Sequence, residues 1–478
     1  MFFNSINFAI FLPIVFFFYW FVTNKNLKTQ NILLISASYF FYACWDWRFL
    51  FLLIFSTFLD YFTGLKIVNS QNKKSKKFWF WLSISINIGL LGVFKYFNFF
   101  ASSFTDLLSE FGFNVNPITL NIILPVGISF YTFHGLSYVI DIYKGRIESE
   151  KNFIDYALFV SFFPLLVAGP IERATHLLPQ IQNKRTFNYN EAVDGMRQIL
   201  WGLFKKVVIA DQCAEYVNDI FNNYTDHSGG TLFLGALFFT FQIYGDFSGY
   251  SDMAIGIAKL FGIKLLKNFS FPYFSRDIAE FWRRWHISLS TWFRDYLYIP
   301  LGGSRGGTWM KIRNTFIIFI VSGLWHGANW TFIAWGFLNA LFIMPSIVFN
   351  TNRNNLNIVA QGKTFPNFKE FVSIFVTFHL TLILWIFFRA ENITQAFKYV
   401  QNIFSKNIFL FSHPIPWIIL GLIGFFMALE WIGREGNYAL ERLSSTKHRL
   451  INIVFYYCLI ILIFVFAGSS QQFIYFQF

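Results

Sequence analysis

Two histidines have surroundings that suggest chemistry. His326 lies in "SGLWHGANW" (322–330), within a long apolar run, and His286 lies in "FWRRWHISLSTWFRDYLYIPLGG" (281–303), where arginines and an aspartate are mixed with tryptophans and tyrosines. An ionisable group within an apolar segment costs free energy, so it is a functional candidate by default. A neutral imidazole accepts a proton near physiological pH, which is what a general base must do.

The residues next to His326 leave space for another group. If the apolar run is helical from Asn314, His326 lies roughly 18 Å along the helix axis at about 1.5 Å per residue. That position predicts a histidine near the middle of a hydrocarbon core about 30 Å thick. Gly323 and Gly327 permit close approach of backbone or ligand, and Trp325 and Trp330 could form aromatic walls. A histidine hydrogen-bonded between helices is the structural alternative, and spacing alone leaves both interpretations open.

The stretch around His286 is too polar for a helix that faces lipid. Glu280 and Arg284 are four residues apart and can pair on a helix. The segment is either an interfacial helix, with aromatic residues at headgroup level and arginines toward phosphates, or a buried or re-entrant segment that lines a water-filled tunnel. Its charges alone do not distinguish the two.

Three further ionisable groups occur in apolar sequence. Asp246 and Asp252 lie in "QIYGDFSGYSD" and could indicate a metal or proton path, but hydrogen bonding to neighbouring helices or to the arginines of the polar stretch is the simpler interpretation. His134 lies alone in an apolar segment and is interpreted as a packing residue. No metal is predicted, because the three cysteines lie far apart and form neither a zinc pattern nor a disulfide framework.

The composition indicates an all-α polytopic membrane protein. Of the 478 residues, 55% are hydrophobic and only 13% are charged, whereas soluble domains carry about 25% charged residues. The net charge of +13 is concentrated between apolar segments, as in "NKKSKK" (72–77), which is typical of cytoplasmic loops. No continuous basic face points to nucleic acid. We therefore predict one integral-membrane domain over residues 1–478, in contact with lipid.

The apolar segments predict about eleven or twelve crossings, some of them re-entrant. The first segment has no cationic start and no cleavage site, so we expect no signal peptide and place the N-terminus outside. The acidic stretch 211–226 is predicted to face outside as well. The segments are 1–22, 31–47, 49–66, 79–100, 119–140, 153–170, 195–210, 231–262, 314–348, 371–388, 414–432 and 450–467.

Several motifs together resemble a known family. The sequence "FWRRWHISLSTWFRDYLYIPLGGSR", followed further along by "GLWHGANWTFIAWG", is similar to the membrane-bound O-acyltransferase (MBOAT) family, and specifically to its bacterial branch of alginate O-acetyltransferase subunits. The resemblance extends to "LPVGISFYTFHGLSYVIDIYKG", "FFPLLVAGPIERATHLLPQ", "QIYGDFSGYSDMAIGIAKLFGI" and the terminal "FIYFQF". It thus covers nearly the whole chain.

The resemblance implies a fold, a reaction and a location. The fold would be a ring of about 11–12 transmembrane and re-entrant helices around a central tunnel in the bacterial inner membrane. There a cytosolic donor, acetyl-CoA, would meet an acceptor from the other face, and a periplasmic or membrane-anchored partner protein would pass the acetyl group to an exported polysaccharide. No bound cofactor is implied. The essential histidine of the family corresponds to His326, and a second motif position, which is histidine or asparagine in the family, corresponds to His286.

The same resemblance suggests roles for other residues of the two motifs. His286 would hold the tautomer of His326 or polarise the thioester carbonyl. Arginines of the polar motif would attract the phosphates of coenzyme A. The candidate substrate-binding residues are Arg283, Arg284, Trp285, Trp325 and Asn329, with Arg294 as a further cation.

Two other functions remain open at this point. A D-alanyl transferase for teichoic acids belongs to the same family and would take its acyl group from a carrier protein. A transporter or flippase would use polar residues along a tunnel, although transporters often contain repeats and we find none in this sequence. The absence of G-x-S-x-G, P-loop and G-x-G-x-x-G motifs leaves serine hydrolysis, nucleotide hydrolysis and dinucleotide binding without support.

Overall fold

A computed structural model describes residues 1–113, 115–442, 449–468, 471 and 473–474. Helices account for 72% of the chain, and no strand occurs in the described residues. In an apolar solvent, a helix satisfies its backbone hydrogen bonds within one segment. The prediction of an all-α polytopic membrane protein is confirmed.

The chain divides into two compact units. The first comprises Met1–Ala192 and Ile257–Leu266, and the second comprises Val193–Gly256 and Lys267–Phe478. A single membrane domain over the whole chain stays a prediction, as do the ring of helices and its central tunnel.

The first unit contains eight helices among the residues that the structure describes, and two short π-helices follow α1 and α3 (Phe18–Val22 and Gly92–Tyr96). The helices are α1 (Ile6–Phe17), α2 (Leu27–Asn69), α3 (Lys73–Leu91), α4 (Phe97–Glu110), α5 (Ile128–Tyr143), α6 (Phe153–Ser161), α7 (Phe163–Leu166) and α8 (Ala174–Gln182).

The chain passes from one unit to the other within two helices, after Ala192 in α9 and after Gly256 in α11. The other helices of this part of the chain belong to the second unit. The helices of this part are α9 (Tyr189–Phe204), α10 (Asp211–Asn222), α11 (Gly229–Leu260), α12 (Ile278–Arg284), α13 (Ile287–Phe293), α14 (Gly307–His326), α15 (Trp330–Val348), α16 (Phe368–Arg389), α17 (Ile393–Ser405), α18 (Trp417–Gly433) and α19 (Arg449–Val465). Two π-helices (Lys205–Ala210 and Arg294–Tyr298) and a 3₁₀ turn (Pro272–Phe274) connect some of them.

Four helical stretches of the described chain are long and apolar enough to cross a membrane: Leu27–Asn69, Lys73–Glu110, Trp330–Val348 and Phe368–Arg389. Three shorter apolar stretches add to them: Ile6–Val22, Trp417–Gly433 and Leu450–Val465. Together they support an integral membrane protein with several crossings. The total of eleven or twelve stays a prediction.

Some predicted segments differ from the observed helices. Segments 31–47 and 49–66 are the two halves of α2, which is interrupted at Asp46 by non-helical backbone (φ −156°, ψ 111°). Arg48 and Asp46 form an ion pair of 2.6 Å there. Segment 153–170 is broken at Phe162, between α6 and α7. Apolar composition therefore located these segments, but backbone breaks inside them could not be read from composition.

Candidate active site

His326 is the last residue of α14. The run is helical from Asn314 to His326, as assumed from the sequence. The apolar segment 314–348 is nevertheless two helices, because the chain leaves the helix directly after His326. Gly327 is extended (φ −160°), and Asn329 then caps α15 by accepting a hydrogen bond of 3.0 Å from the backbone N–H of Thr331. A side chain at a helix end lies beside non-helical backbone, which gives a reacting group more room than mid-helix packing does.

Glycines bring α14 and α15 into direct backbone contact. A Cβ atom at Gly323 would lie 2.2 Å from the carbonyl oxygen of Phe332, and one at Gly336 would lie 2.2 Å from that of Phe319. A Cβ at Gly327 would lie 2.0 Å from the ring of Phe332. Close helix packing through small residues is typical of membrane proteins. It holds the end of α14 in place.

His286 lies at the junction between α12 and α13, in a left-handed backbone conformation (φ 45°). Non-glycine residues adopt this conformation rarely, although Asn, Asp and His do so more often than others. Asn268 stabilises the junction. Its carbonyl oxygen accepts from the backbone N–H of Ile287 at 2.9 Å, and its side-chain oxygen accepts from the hydroxyl of Ser288 at 2.9 Å.

The fold brings the two histidines together. Their ring centroids are 6.5 Å apart, and the exposed fractions of His286 and His326 are 0% and 3%. The indole of Trp325 lies 5.9 Å from the ring of His286 and 4.9 Å from that of His326. On the other side of His286, the ring of Phe247 lies at 4.6 Å. Two motifs that are separated in the sequence thus form one buried cluster.

The surroundings of His286 contain little that could stabilise a charge. Among the described residues, neither ring nitrogen of His286 has a hydrogen-bond partner. Burial lowers its pKa to about 3, because the charged imidazolium loses its hydration. The imidazole is therefore neutral at pH 7. A neutral ring keeps one N–H donor and one acceptor nitrogen for a bound molecule.

Aromatic side chains that the sequence did not single out complete the cluster. The rings of Trp335 and Phe388 lie 5.2 Å and 5.3 Å from the ring of His326. Trp385 stacks on Trp335 at 5.9 Å and lies 4.9 Å from Trp285. Trp335 could have been identified from the sequence, because it follows His326 in the same motif. Trp385 and Phe388 occur in an apolar segment that offers no such signal.

Comparison with known proteins identifies the family. The model of the membrane-bound O-acyltransferase family matches residues 146–389. The probable alginate O-acetylase AlgI of Azotobacter vinelandii is 40% identical over 404 residues, which cover 84% of this chain and 77% of that protein. The chain belongs to the MBOAT family. It is a membrane-bound O-acyltransferase.

Other relatives of this acyltransferase are named for a different glycan or for a different acyl group. A peptidoglycan O-acetyltransferase of Helicobacter pylori is 38% identical over 425 residues, covering 83% of this chain and 78% of its own length. A teichoic acid D-alanyltransferase of Streptococcus thermophilus is 29% identical over 311 residues, covering 61% and 75% of the two chains. The matched region of the family model contains both His286 and His326.

The arginines of the acyltransferase are held by protein groups. The predicted pair of Glu280 and Arg284 is present at 2.8 Å, and Arg276 joins the same carboxylate at 3.0 Å. Arg283 donates to the backbone carbonyl oxygens of Asn352 (2.7 Å) and Asn355 (3.0 Å). These contacts brace the segment that carries His286. Binding of phosphates by the arginines stays a prediction.

The other motif residues also have structural partners. Trp285 is buried with its ring stacked on that of Phe281 at 5.5 Å. Asn329, besides capping α15, donates its side-chain N–H to the carbonyl oxygen of Glu391 at 2.8 Å. Arg294 pairs with Asp295 at 2.7 Å and is largely exposed. A role for Trp285, Trp325 or Asn329 in substrate binding stays a prediction.

The carboxylates of α11 bind lysines. Asp246 contacts Lys206 at 2.7 Å and accepts from the backbone N–H of Ile474 at 2.6 Å, and Asp252 accepts from Gln198 at 2.8 Å and pairs with Lys205. Bonding to neighbouring elements is thus as predicted, whereas the arginine partners proposed from sequence are wrong. The lysines come from the π-helix Lys205–Ala210, whose proximity to α11 is a tertiary feature.

In the first unit, the interpretation of His134 as a packing residue agrees with its contacts. The side chain is buried, and its Nε2 accepts a hydrogen bond of 3.1 Å from the backbone N–H of Glu172.

Proposed function

We propose that this acyltransferase takes an acetyl group from cytosolic acetyl-CoA for the O-acetylation of an exported or cell-surface polysaccharide, with His326 as general base. The proposal is carried by one observation, the buried cluster in which His326 and His286 lie 6.5 Å apart at a helix end and a helix junction. The names of the relatives, which include alginate and peptidoglycan acetylating enzymes, support acetyl as the cargo.

The reaction needs one proton to be removed and one to be returned. A thioester is already activated, so the demanding step is the attack of an acceptor hydroxyl on its carbonyl carbon. His326 would accept the hydroxyl proton as the new C–O bond forms. The C–S bond then breaks, and the leaving thiolate takes the proton back from the imidazolium. The products are an acetyl ester and free coenzyme A.

His286 would assist at the thioester carbonyl. Its imidazole is neutral, and its two ring nitrogens have no hydrogen-bond partner in the described part of the chain. An N–H donor that is already positioned when negative charge develops on the carbonyl oxygen stabilises the transition state without reorganisation. We assign His286 this role. Arg283 and Arg284 are the proposed contacts for the phosphates of coenzyme A.

A partner protein completes the proposed pathway. A periplasmic or membrane-anchored protein would receive the acetyl group and pass it to the polysaccharide, as the resemblance to the alginate O-acetyltransferase branch implies. The enzyme itself would reside in the bacterial inner membrane, where cytosolic acetyl-CoA is accessible.

The general-base role predicts the effect of removing one imidazole. In purified membranes supplied with labelled acetyl-CoA, His326→Ala should reduce acetyl transfer by about 10²–10⁴-fold, the typical contribution of a general base. His379→Ala is the matched control, since His379 contacts its own helix through the carbonyl oxygen of Phe375 at 2.8 Å. It should keep its activity. Full activity of a correctly inserted His326→Ala protein would overturn the proposed mechanism.

The donor and the acceptor can be identified in the same system. The labelled acetyl group should be transferred from acetyl-CoA to the acceptor, and a carrier protein charged with labelled D-alanine should give no transfer. Transfer from the carrier alone would instead assign the D-alanyl function, which one relative supports. Deleting the gene and measuring ester-linked acetyl groups in each surface glycan would identify the polysaccharide. Glycan transport that persists without any acyl donor would favour a transporter.

A further inference from the structure

A second group of ligand-type side chains occurs in the second unit. Asp219 lies on α10, His227 lies in the turn before α11, and His413 lies in the loop that follows α17. Each offers one ligand atom, and these three atoms all lie within 4.8 Å of one another. None of the three residues contributes to the contacts around His326 described above.

His227 presents a nitrogen that lacks a partner. The residue is only 5% exposed, and its Nε2 is buried without a hydrogen bond to any described residue. A buried ring nitrogen without a hydrogen-bond partner is free to act as a metal ligand.

The other two ligands can adjust to an ion. Asn223 donates to Oδ1 of Asp219 at 3.0 Å, while Oδ2 of Asp219 lies 4.0 Å from Nε2 of His413. A tetrahedral zinc ion with bonds of about 2.0–2.1 Å needs ligand atoms about 3.3 Å apart. The side chains of Asp219 and His413 are 54% and 55% exposed. Each side chain therefore has room to rotate and bring its ligand atom to the spacing that zinc needs.

The backbone around the two histidines is firmly connected. The N–H groups of Gly229 and Gly230 donate to the carbonyl oxygens of Lys406 and Leu410, both at 3.1 Å. A Cβ atom at Gly229 would lie 2.4 Å from the carbonyl oxygen of Ile403 in α17, and one at Gly230 would lie 2.5 Å from that of Leu410 in the loop. The ammonium of Lys406 bonds to the carbonyl oxygens of Thr225 and His227. The loop that carries His413 is therefore held against the turn that carries His227.

We propose that Asp219, His227 and His413 bind one divalent transition-metal ion, with zinc as the best match. Two imidazoles and one carboxylate suit zinc, which accepts nitrogen and oxygen ligands and keeps a fourth position for water in three-ligand sites. Calcium and magnesium prefer six or more oxygen ligands or near-ideal octahedral geometry, so they fit this set poorly. The ion would connect the end of α10 to the loop after α17.

Metal content measured on the full-length protein tests this inference. The protein is purified in detergent with an affinity tag that contains no histidine, stripped with a chelator, and then titrated with Zn²⁺. We expect one zinc per chain, and a loss of affinity of at least tenfold in His413→Gln and in His227→Gln. Co²⁺ added in place of zinc should give the visible absorption of tetrahedral cobalt in the wild-type protein only.

Two controls make the outcome decisive. His379→Gln removes a histidine outside the cluster and should bind zinc like the wild type. Because His413 is half exposed, His413→Gln should elute from gel filtration as the wild type does, so a loss of binding there cannot be attributed to misfolding. The proposal is overturned if zinc does not bind, or if His413→Gln binds it with unchanged affinity.

Discussion

At the scale of single residues, backbone conformation limits which side chains the site can contain. His286 has a φ of 45° and no exposed surface. Histidine and asparagine tolerate this left-handed conformation better than β-branched residues, whose side chains clash with the backbone there. The position therefore combines the N–H donor of the proposed mechanism with a residue type that the turn accepts.

These two requirements can be separated by two substitutions. His286→Asn should insert and fold, because asparagine adopts left-handed backbone, whereas His286→Val should be less stable by about 1–2 kcal/mol than the asparagine variant. His286→Val should lose most acetyl transfer because it has no N–H donor, whereas His286→Asn should keep part of it because its amide N–H can still donate. Thermal unfolding in detergent measures the first difference and labelled acetyl transfer the second. Equal unfolding temperatures would show that the left-handed backbone does not limit the residue type.

At the scale of secondary structure, the α14–α15 pair positions His326. The pair depends on glycine, because a Cβ at Gly323 would lie 2.2 Å from the carbonyl oxygen of Phe332. The helices would have to separate to accommodate it, and backbone contacts cannot yield as flexible side chains can. Sequence reasoning identified Gly323 as a point of close approach, and the structure shows that the approaching group is the backbone of α15.

A glycine elsewhere provides the matched comparison. Gly323→Ala should destabilise the protein by about 1–3 kcal/mol, the usual cost of forcing an extra group into a packed interface. Gly421→Ala, on α18, should be neutral or stabilising by up to about 1 kcal/mol, because a Cβ atom there would have no neighbouring atom within 4 Å. Thermal unfolding of the two variants measures the difference. Similar unfolding temperatures would contradict the close-packing argument.

At the scale of the whole molecule, the charge distribution predicts orientation in the membrane. Positive charges are retained on the cytoplasmic side of a membrane protein, and the first turns of α3 contain four lysines, at positions 73, 74, 76 and 77. The acidic stretch 211–226 includes Asp219 and is predicted to face outside. The metal site proposed above would then be accessible from the periplasmic side of the membrane.

Cysteine labelling tests this orientation. In a background with Cys44→Ser, Cys213→Ala and Cys458→Ser, an impermeant maleimide added to intact spheroplasts should label Asn223→Cys and leave Lys74→Cys unlabelled. After permeabilisation, both should react. The reverse pattern in spheroplasts would mean that the predicted orientation is inverted.

Several features were predictable because they depend on local sequence. Apolar composition predicted an all-helical membrane protein, and the motif residues predicted the family. The pair of Glu280 and Arg284 followed from spacing on one helix. The lysine partners of Asp246 and Asp252 were missed, because hydrogen bonding between elements depends on helix packing and not on spacing along the chain.

The sequence by itself determined the class of the protein, its family and the two histidines that stand out, because these follow from residue type and from order along the chain. Only the tertiary structure decided that α14 ends at His326, that Phe388 packs against its ring, and that Asp219, His227 and His413 meet. The physical reason is that side-chain packing and backbone contacts between helices join residues that are distant along the chain. No local pattern specifies which of many similar apolar faces will come together.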